Sequence, residues 1–551
     1  MNYICIDFGT CNTVISYFHD NKILQLCDDT FGDCFIPSTI YFIPENIIDV
    51  TKIDELEYEK HYLIGHSANN INNTNNNNTS NYFYQFKRFL GITSKSIDTD
   101  FINKFDLEYT TDDDIIYFYL NINDIKLKIS IIDLVKLFFK GLNTFIKNKL
   151  NITEKIEIIL TCPAYFHDLQ RSQLKSAVEN ANFNIFKIYN EPTTAAIYYI
   201  HDTHIKNNIS DNKIIIYDIG GGTIDTTVVE YHEETNTCEV IDIDGNNTLG
   251  GIDIDNILIY DIYNKYKIDK SNKKWLIKIK KYAEEIKIKL SYNNNCDIYI
   301  ENVPIMKNNN IEYVDNLKIS YSIHNYNNII NEIIDKMIEP IKNMHYKYKT
   351  KNVIFIGGPT QIPLLQNKIN SFLQLNIKTI NCNNNNIFLY KTIVSQGGCL
   401  IHKIIKKEED FCLLDIIPMN IGISDTENNM IIMLEKNSKI PNSIEKIFTT
   451  THDFQRTIDI EIFEGVSNEC NKNTFIGSYK ILGIPPLPKG KILIKILFKI
   501  SYNGILNISI NGFKNPSDDS TNFYDFKLLE SIKLIPMVIA KDLIKKIINK
   551  K

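Results

Sequence analysis

The sequence predicts a two-lobed α/β domain, an all-β sandwich after it, and a short helix near the C-terminal end. Three observations lead to this prediction. Residues 3–16 and 213–229 share one pattern of apolar strand, aspartate, glycine turn, threonine and second strand. At 406–418 a charged run gives way to an apolar stretch bounded by acids. From there to about residue 526, short alternating strands separated by turn signals are typical of a sandwich.

The second repeated segment is typical of a loop that binds phosphate. Its turn consists of Gly220, Gly221 and Gly222. Glycines let the backbone come close to a phosphate and turn its N–H groups toward the oxygens. Asp218 precedes the turn, Thr223 and Asp225 follow it, and two carboxylates suit a hydrated Mg²⁺ beside the phosphate. Taken alone, the segment would also fit a hairpin with a flexible turn.

The first repeated segment favours the phosphate-loop interpretation. Between two apolar strands it contains Asp7, Gly9, Thr10 and Cys11. Two such units, far apart in the chain, suggest two related lobes that face one nucleotide. We expect Cys11 to serve as a small residue in a tight turn.

Composition and charge restrict the class of protein. At 551 residues the chain can form several domains, and its net charge of −6 argues against a nucleic-acid partner. No apolar run reaches the ~18 residues of a membrane span, and the N-terminus does not have the pattern of a signal peptide. The 11 cysteines are scattered, so we expect neither a disulfide framework nor a zinc site, and a cytoplasmic location.

Three further signatures resemble the Hsp70 chaperones, a family within the actin-like ATPases. They are PAYFHDLQR at 163–171, NEPTTAA at 190–196 and NNTLGGIDIDN at 246–256. The resemblance implies an ATPase domain of the actin-like (RNase H-like) fold, an allosteric linker, a peptide-binding β-sandwich and a truncated helical lid. The implied boundaries are 1–405, 406–415, 416–526 and 527–551.

The resemblance also implies roles for single residues in ATP hydrolysis. Lys87, in QFKRFLG, would reach the γ-phosphate, and Glu191 would orient the attacking water or the water shell of the metal. Thr223 would contact the phosphates. The residues implied to hold Mg²⁺ through waters are Asp7, Asp218 and Asp225, and K⁺ is a further candidate cation. Without the resemblance, Lys87 would be a solvated surface cation and Glu191 a residue favoured at a helix start.

The implied contacts to ATP or ADP come from five segments. They are Gly9, Thr10, Cys11, Gly220, Gly221, Gly222, Gly250, Gly251, Glu284, Lys287, Ser291, Gly357 and Gly358. Ile288 and Gln361 stand where the family has arginines that stack on adenine, Pro359 stands in place of a serine, and Lys391 stands in place of an acid. The loss of two cation–π contacts should weaken nucleotide binding by about 1–2 kcal/mol, so we expect fast nucleotide release.

The apolar linker distinguishes an Hsp70 from actin-like filaments and small-molecule kinases of the same fold. In the family this linker docks when ATP is bound. The residues implied to relay the nucleotide state to the sandwich are Pro163, Arg171 and Asp415. Lys187 occupies the position of a family cation that faces the J-domain co-chaperone, which is an expected partner.

The sandwich is expected to bind an extended client peptide. By resemblance, its cleft is lined by Ile423, Phe448 and Ile458, although their periodicity alone would place them in an ordinary core. We expect a monomer that binds neither nucleic acid nor membrane.

Three short matches indicate the iron–sulfur-assembly branch of the family, the HscA type. They are KIKLS at 287–291, LLDIIP at 413–418 and LGIPPLPKG at 482–490. A member of that branch would bind a peptide of the iron–sulfur scaffold protein. The alternatives are a general protein-folding Hsp70 and a holdase with impaired ATP turnover.

Overall fold

The structure is a computed structural model that describes residues 3–20, 22–47, 55–74, 81–93, 97, 107–112, 115–122, 125–201, 212–270, 273–308, 310–350, 352–373, 389–406, 411–482 and 484–514. No helix within these ranges is long and apolar enough to cross a membrane. The predicted C-terminal helical segment, 527–551, lies outside the described residues.

The first lobe is built on a mixed six-stranded sheet. Its elements are β1 (Ile4–Phe8), β2 (Asn12–His19), β3 (Lys22–Gln25), β4 (Phe35–Pro37), β5 (Thr39–Phe42), β6 (Tyr62–Ile64), α1 (Gly65–Thr74), β7 (Tyr82–Tyr84), β8 (Tyr109–Asp112), β9 (Ile115–Ile122), β10 (Ile125–Ser130), α2 (Ile131–Leu150), β11 (Ile156–Cys162), α3 (Asp168–Asn180), β12 (Phe183–Asn190) and α4 (Glu191–His201). The strand order is β12-β11-β1-β2-β3, with β4 paired to β2. Two three-stranded sheets, β6-β5-β7 and β10-β9-β8, complete the lobe.

Helix α2 shows how local sequence sets the boundaries of an element. The Ser130 side chain caps its first turn by accepting a hydrogen bond from the Asp133 N–H. Apolar residues at spacings of three and four bury one face of the helix against the sheet core. Asn151 ends the helix in the left-handed conformation, at φ 52°.

The second lobe has its own sheet and core. Its elements are β13 (Lys213–Ile219), β14 (Ile224–His232), β15 (Thr237–Asn246), α5 (Gly251–Tyr266), α6 (Lys273–Leu290), β16 (Asn295–Lys307), β17 (Asn310–Ser322), α7 (Ile323–Tyr348), β18 (Val353–Ile356) and α8 (Pro363–Leu373). The helix that follows, α9 (Leu389–Lys406), packs mainly on the first-lobe strands β1, β2 and β11. In the main sheet, β13 pairs parallel with β18 and antiparallel with β14. Strands β16 and β17 form a separate hairpin.

Helices α4 and α9 pack against each other where the two lobes meet. Their buried residues share one core with strands of both main sheets. A Cβ on Gly397 would lie 1.9 Å from the Thr194 carbonyl oxygen, and a Cβ on Gly398 would lie 2.3 Å from Cys5 Sγ. Only glycine allows the helices and the sheet to come this close.

The C-terminal part is a two-sheet β structure preceded by a linker strand. Its strands are β19 (Cys412–Ile416), β20 (Asn420–Ser424), β21 (Met430–Leu434), β22 (Lys439–Ile440), β23 (Asn442–Thr449), β24 (Thr457–Gly465), β25 (Thr474–Leu482), β26 (Ile492–Ile500) and β27 (Leu506–Lys514). The sheets β21-β20-β24-β25 and β23-β26-β27 enclose one apolar core. The linker strand β19 belongs instead to the second-lobe sheet, in the order β18-β13-β14-β15-β19-β22.

The prediction that the cysteines form no disulfide framework did not foresee one disulfide. Cys27 and Cys34 form a disulfide, whereas eight other cysteines in the described ranges are free. The two cysteines are brought together by the turn that contains Asp28 and Asp33, whose backbones bond to each other. Their separation of 7 residues matches no common motif, so this pair could not be predicted from spacing.

Candidate functional site

Two glycine turns, one from each lobe, face each other where the lobes meet. The first joins β1 to β2 at Gly9, and the second joins β13 to β14 at Gly220. A backbone hydrogen bond closes each turn, at 3.1 Å in the first and 2.9 Å in the second. A Cβ on Gly221 would lie 2.5 Å from Cys11 Sγ and 3.6 Å from Thr10, so the two turns are in contact. Cys11 is a small residue in the turn, as expected, and burial raises the pKa of its thiol to about 12.

A third glycine pair packs on the second turn. The Gly251 N–H donates to the Gly220 carbonyl at 3.0 Å, and a Cβ on Gly250 would lie 2.5 Å from the Gly221 carbonyl oxygen. Arg88 fixes this arrangement because its guanidinium donates to the Thr248 carbonyl at 2.7 Å. These close approaches explain the glycines, and they bring the three predicted phosphate segments into one site.

Lys87 and Glu191 form a buried ion pair inside the site. Lys87 lies on a short 3₁₀ turn, Phe86–Phe89, and Glu191 is the first residue of α4. The Lys87 Nζ donates to Glu191 Oε1 at 3.0 Å, with side chains only 3% and 11% exposed. The ammonium also lies 5.2 Å from the centre of the Phe166 ring. Lys87 is therefore a fixed, buried cation and not a solvated surface residue.

Three aspartates lie beside this pair. Asp218 and Asp225 stand directly opposite each other on β13 and β14, and Asp7 accepts a hydrogen bond from the Thr161 hydroxyl at 3.0 Å. Burial, together with repulsion from Glu191, raises the pKa of Asp7 to about 7 and that of Asp225 to about 7. The pKa of Asp218 is also raised, by burial and by the surrounding acids. A cation among them would favour their charged forms.

The other end of the site is formed by α6 and the turn after β18. Lys287 Nζ donates to Asp255 Oδ2 at 2.6 Å and to the Gly251 carbonyl at 3.2 Å, which ties α6 to the third glycine pair. Gly357 has a φ of 85°, and a Cβ there would lie 2.0 Å from the Ile219 carbonyl oxygen. The chain at this point therefore requires glycine.

A cavity of about 220 Å³ connects the two ends. The predicted residues that line it are Asp7, Gly9, Thr10, Cys11, Lys87, Glu191, Asp218, Gly220, Gly221, Thr223, Gly251, Glu284, Lys287, Ser291, Gly357 and Gly358. Gly222, Gly250 and Asp225 are not among the residues that line it. All four residues that depart from the family pattern, Ile288, Pro359, Gln361 and Lys391, line the same cavity.

A hydrogen-bonded path leads from this cavity to the linker strand. The Tyr165 N–H donates to Asp225 Oδ1 at 2.9 Å, and the turn that holds Tyr165 begins at Pro163. Arg171 donates to the Pro163 carbonyl at 3.3 Å and to Asn190 Oδ1 at 2.6 Å. Asn190 in turn donates to Asp415 Oδ2 at 2.9 Å. The three predicted relay residues are thus joined within one network, and its central amide, Asn190, was missed.

The comparison with known families decides between the folds that could hold such a site. A profile described as Hsp70 protein matches residues 3–523. The chain belongs to the Hsp70 family. It is therefore an ATP-dependent chaperone and an ATPase, and its fold is the Hsp70 fold. Hsp70 proteins bind ATP with Mg²⁺, and they work with client polypeptides and J-domain co-chaperones.

Individual relatives are distant and carry the name chaperone protein DnaK. The protein of Thermotoga neapolitana is 27% identical over 94% of this chain and 79% of its own length. The protein of Thermosipho melanesiensis is 30% identical over 64% of this chain and 59% of its own length. A third, from Thermotoga petrophila, is again 27% identical over 94% of this chain. None of these three names refers to iron–sulfur assembly.

The acidic residues of this Hsp70 fit a magnesium ion that keeps its water shell. Like charges directly opposite each other in a sheet are unfavourable, and the Asp218–Asp225 pair is buried as well. A hydrated divalent cation beside the phosphates would offset that repulsion. Within the described ranges, no three His, Cys, Asp or Glu side chains are grouped so that they could ligate a metal directly.

The predicted cleft residues of the sandwich share one apolar cluster. Ile423 is buried in it, and Phe448 and Ile458 are half-buried against it. This placement is compatible with the floor of a peptide cleft and equally with the ordinary core that periodicity favours.

Sequence reasoning missed a second contact between the domains. The Asp168 N–H donates to Glu464 Oε2 at 3.0 Å, and the Leu506 N–H donates to Asp168 Oδ1 at 2.5 Å. Lys187 lies beneath the same interface, 5.9 Å from the centre of the Tyr502 ring. In the sequence, Asp168 is one residue of the PAYFHDLQR signature, and nothing near Glu464 points to a partner.

Proposed function

We propose that ATP hydrolysis between the two lobes controls the binding of extended apolar peptides in the sandwich, through the linker strand. The observation that carries this proposal is the position of β19. It pairs in parallel with β15, with Cys412 opposite Thr237 and Leu414 opposite Glu239. A linker that completes a sheet of the nucleotide domain can respond to small changes in that sheet. We assign this docked arrangement to the ATP state.

In this proposal a positioned water hydrolyses ATP. Lys87 neutralises the charge that develops on the γ-phosphate, because a buried cation at a fixed position needs little reorganisation during the reaction. Glu191 holds Lys87 in place and orients the water. Mg²⁺, when bound, supplies further neutralisation of the phosphates. Asp7, Asp218 and Asp225 would hold it through waters, and K⁺ would be a second cation of the same site.

The proposed coupling uses the path from Asp225 to Asp415. A change at the γ-phosphate moves Asp225, the Tyr165 backbone follows through its hydrogen bond, and Arg171 transmits the shift to Asn190. Without the bond from Asn190, the buried Asp415 carboxylate would lose one hydrogen-bond donor, and its burial would become more costly. We expect β19 then to leave the sheet. Release of β19 would let the sandwich close on its peptide.

A narrower function in iron–sulfur cluster assembly is our second proposal. It rests on the matches at 287–291, 413–418 and 482–490. A monomeric state and a cytoplasmic location are further parts of the proposal, and they rest on the sequence alone.

Steady-state ATPase of the full chain tests both proposals. The reaction is run with a J-domain co-chaperone and either a peptide of the iron–sulfur scaffold protein or a generic apolar peptide. We expect stimulation by the scaffold peptide alone. Equal stimulation by both peptides would keep the ATP-driven chaperone and remove the iron–sulfur role. Peptide binding without ATP turnover would instead indicate a holdase.

A further inference from the structure

The nucleotide cavity has two ends with separate sets of charges. At one end, Asp7 interacts with Lys87 and Glu191, which are the groups assigned to the phosphates. At the other end, Lys391 interacts with Glu284 and Asp33. A nucleotide that places its phosphates at the first end must place its base toward the second.

Lys391 occupies an unusual position at the base end. It lies in the first described turn of α9, where the helix dipole disfavours a cation. Its ammonium lies 5.1 Å from the centre of the Phe35 ring and 5.8 Å from that of Tyr390, and burial lowers the pKa of the amine. A partly buried cation at a helix start is costly for stability, and such local conflicts are typical of functional positions.

Part of the wall of the base end is formed by Ile288, Gln361 and two tyrosines. Ile288 presents an aliphatic side chain that is 50% exposed, and the Gln361 amide can both donate and accept. Tyr292 and Tyr390 close this end, with their hydroxyl oxygens 3.4 Å apart. Besides Lys287, which is bonded to Asp255, the end therefore combines an apolar wall with adaptable hydrogen-bonding groups and the Lys391 cation.

The chemistry of the base edges determines which purine suits a lysine. At its six-position adenine carries an amine, which donates, whereas guanine and hypoxanthine carry an oxygen, which accepts beside the accepting N7. An ammonium only donates. Lys391 can therefore pair with a 6-oxopurine and cannot pair with the adenine amine, which an acid at this position could do.

We propose that Lys391 is a specificity-determining residue that lets this site bind guanosine and inosine phosphates as well as adenosine phosphates. The proposal rests on the assignment of this cavity to the nucleotide, and it concerns the base alone.

Calorimetric titration of the full chain with ADP, GDP and IDP tests it. We expect GDP and IDP to bind within about tenfold of ADP. In Lys391→Glu the ratio of GDP to ADP dissociation constants should rise by about tenfold or more, the effect of one polar contact to a base edge. Lys391→Met keeps the chain length without the charge, should give a smaller rise, and replaces Lys391→Glu if that variant does not fold.

The matched control is Lys403→Glu. Lys403 is on the same helix and lies 4.5 Å from the centre of the Phe18 ring, but it does not line the cavity. A purely structural role of Lys391 would weaken ADP and GDP equally and leave their ratio unchanged, which would overturn the proposal. Tight ADP binding by the unaltered chain with no measurable GDP binding would also overturn it and leave the ATPase intact. Failure to bind ADP at all would contradict the nucleotide assignment itself.

Discussion

Asn190 Nδ2 donates to Asp415 Oδ2 at 2.9 Å, and this bond joins the first lobe to the linker strand. Arg171 donates to the oxygen of the same amide at 2.6 Å, so the amide can present only its nitrogen to the linker. Burial raises the pKa of Asp415, while the Asn190 bond and the nearby cations Arg171 and Lys187 act in the opposite direction. Groups of the first lobe therefore help to hold the linker acid in the docked position, together with the Ile416 N–H and the pairing of β19 with β15.

Replacing Asn190 should uncouple ATP binding from peptide release. Asn190→Ala removes a hydrogen bond to a buried carboxylate, an interaction worth about 1.5–3 kcal/mol, so ATP-triggered release of a fluorescent peptide should slow by about tenfold. Basal ATPase should stay close to that of the unaltered chain. The control is Asn184→Ala on the same strand, whose exposed amide bonds to Glu157 and not to the linker strand. Equal release rates in the two variants would exclude Asn190 from the coupling path.

Lys87 should control the chemical step. Removing one preorganised charge that stabilises a transition state typically costs about 10²–10³ in rate, and we expect a loss of that size in single-turnover hydrolysis by Lys87→Ala. ADP affinity should change much less, because the role assigned to Lys87 concerns the γ-phosphate.

Two further variants separate this role from stability. Lys87→Gln keeps a donor for Glu191 but not the charge, and it should hydrolyse ATP as slowly as Lys87→Ala with a melting temperature closer to that of the unaltered chain. Lys60→Ala removes an exposed lysine of the same lobe that is paired with Glu57, and it should have no effect. Normal hydrolysis by Lys87→Gln would refute the proposed role.

The parts of the site that sequence could predict are those formed by neighbouring residues. A glycine turn with its flanking acids is a local pattern, so a phosphate loop at Gly220 could be proposed from the residues, whereas an acid at a helix start is common and the role of Glu191 came from the resemblance. Contacts between distant residues have no local pattern. The bonds of Asp168 to Glu464 and of Asn190 to Asp415 span 296 and 225 residues, and only the packed domains bring these groups together.

Hydrogen bonds between long side chains of different lobes could not be predicted from the sequence either. Tyr84 lies on β7 of the first lobe, and its hydroxyl oxygen accepts a hydrogen bond from Lys280 Nζ of α6 at 2.6 Å. The bond crosses a cleft of about 500 Å³ that both lobes line. A tyrosine in a three-residue strand and a lysine in a basic helix are both ordinary surface residues when the sequence is read alone.

The bond between Tyr84 and Lys280 links the two lobes that hold the nucleotide. We therefore expect it to slow nucleotide release. Tyr84→Phe removes about 1 kcal/mol of this link, so ADP release measured by stopped flow should accelerate by about fivefold. The control is Tyr82→Phe. Tyr82 stacks beside Tyr84, but its hydroxyl bonds to Asn69 within the first lobe. Equal acceleration in both variants would mean that general loosening, and not the link between lobes, sets the rate.

Docking of the sandwich should weaken as pH rises. In the docked structure burial raises the pKa of Asp168 from 3.8 to about 6 and that of Glu464 from 4.5 to about 8. Hydrogen bonds from the backbone and the nearby Arg171 act against the rise, and the charge of Asp168 adds to it at Glu464. Undocking would expose both acids to water and return them toward ordinary values. Docking therefore takes up protons, so this contribution is complete below about pH 4 and is lost as pH rises through about 6 and about 8.

Energy transfer between one dye on each domain, with ATP present, measures this dependence. The docked-to-undocked ratio should fall by at least about threefold from pH 6 to pH 8. Glu464→Gln keeps an oxygen to accept the Asp168 N–H but cannot ionise, so it should dock more strongly at pH 8 and show a shallower slope. Asp459→Asn serves as the control, since Asp459 lies on the same strand with its side chain 64% exposed. A slope in Glu464→Gln equal to that of the control would show that Glu464 binds no more protons in the docked state than in the undocked state, and that other groups take up the protons.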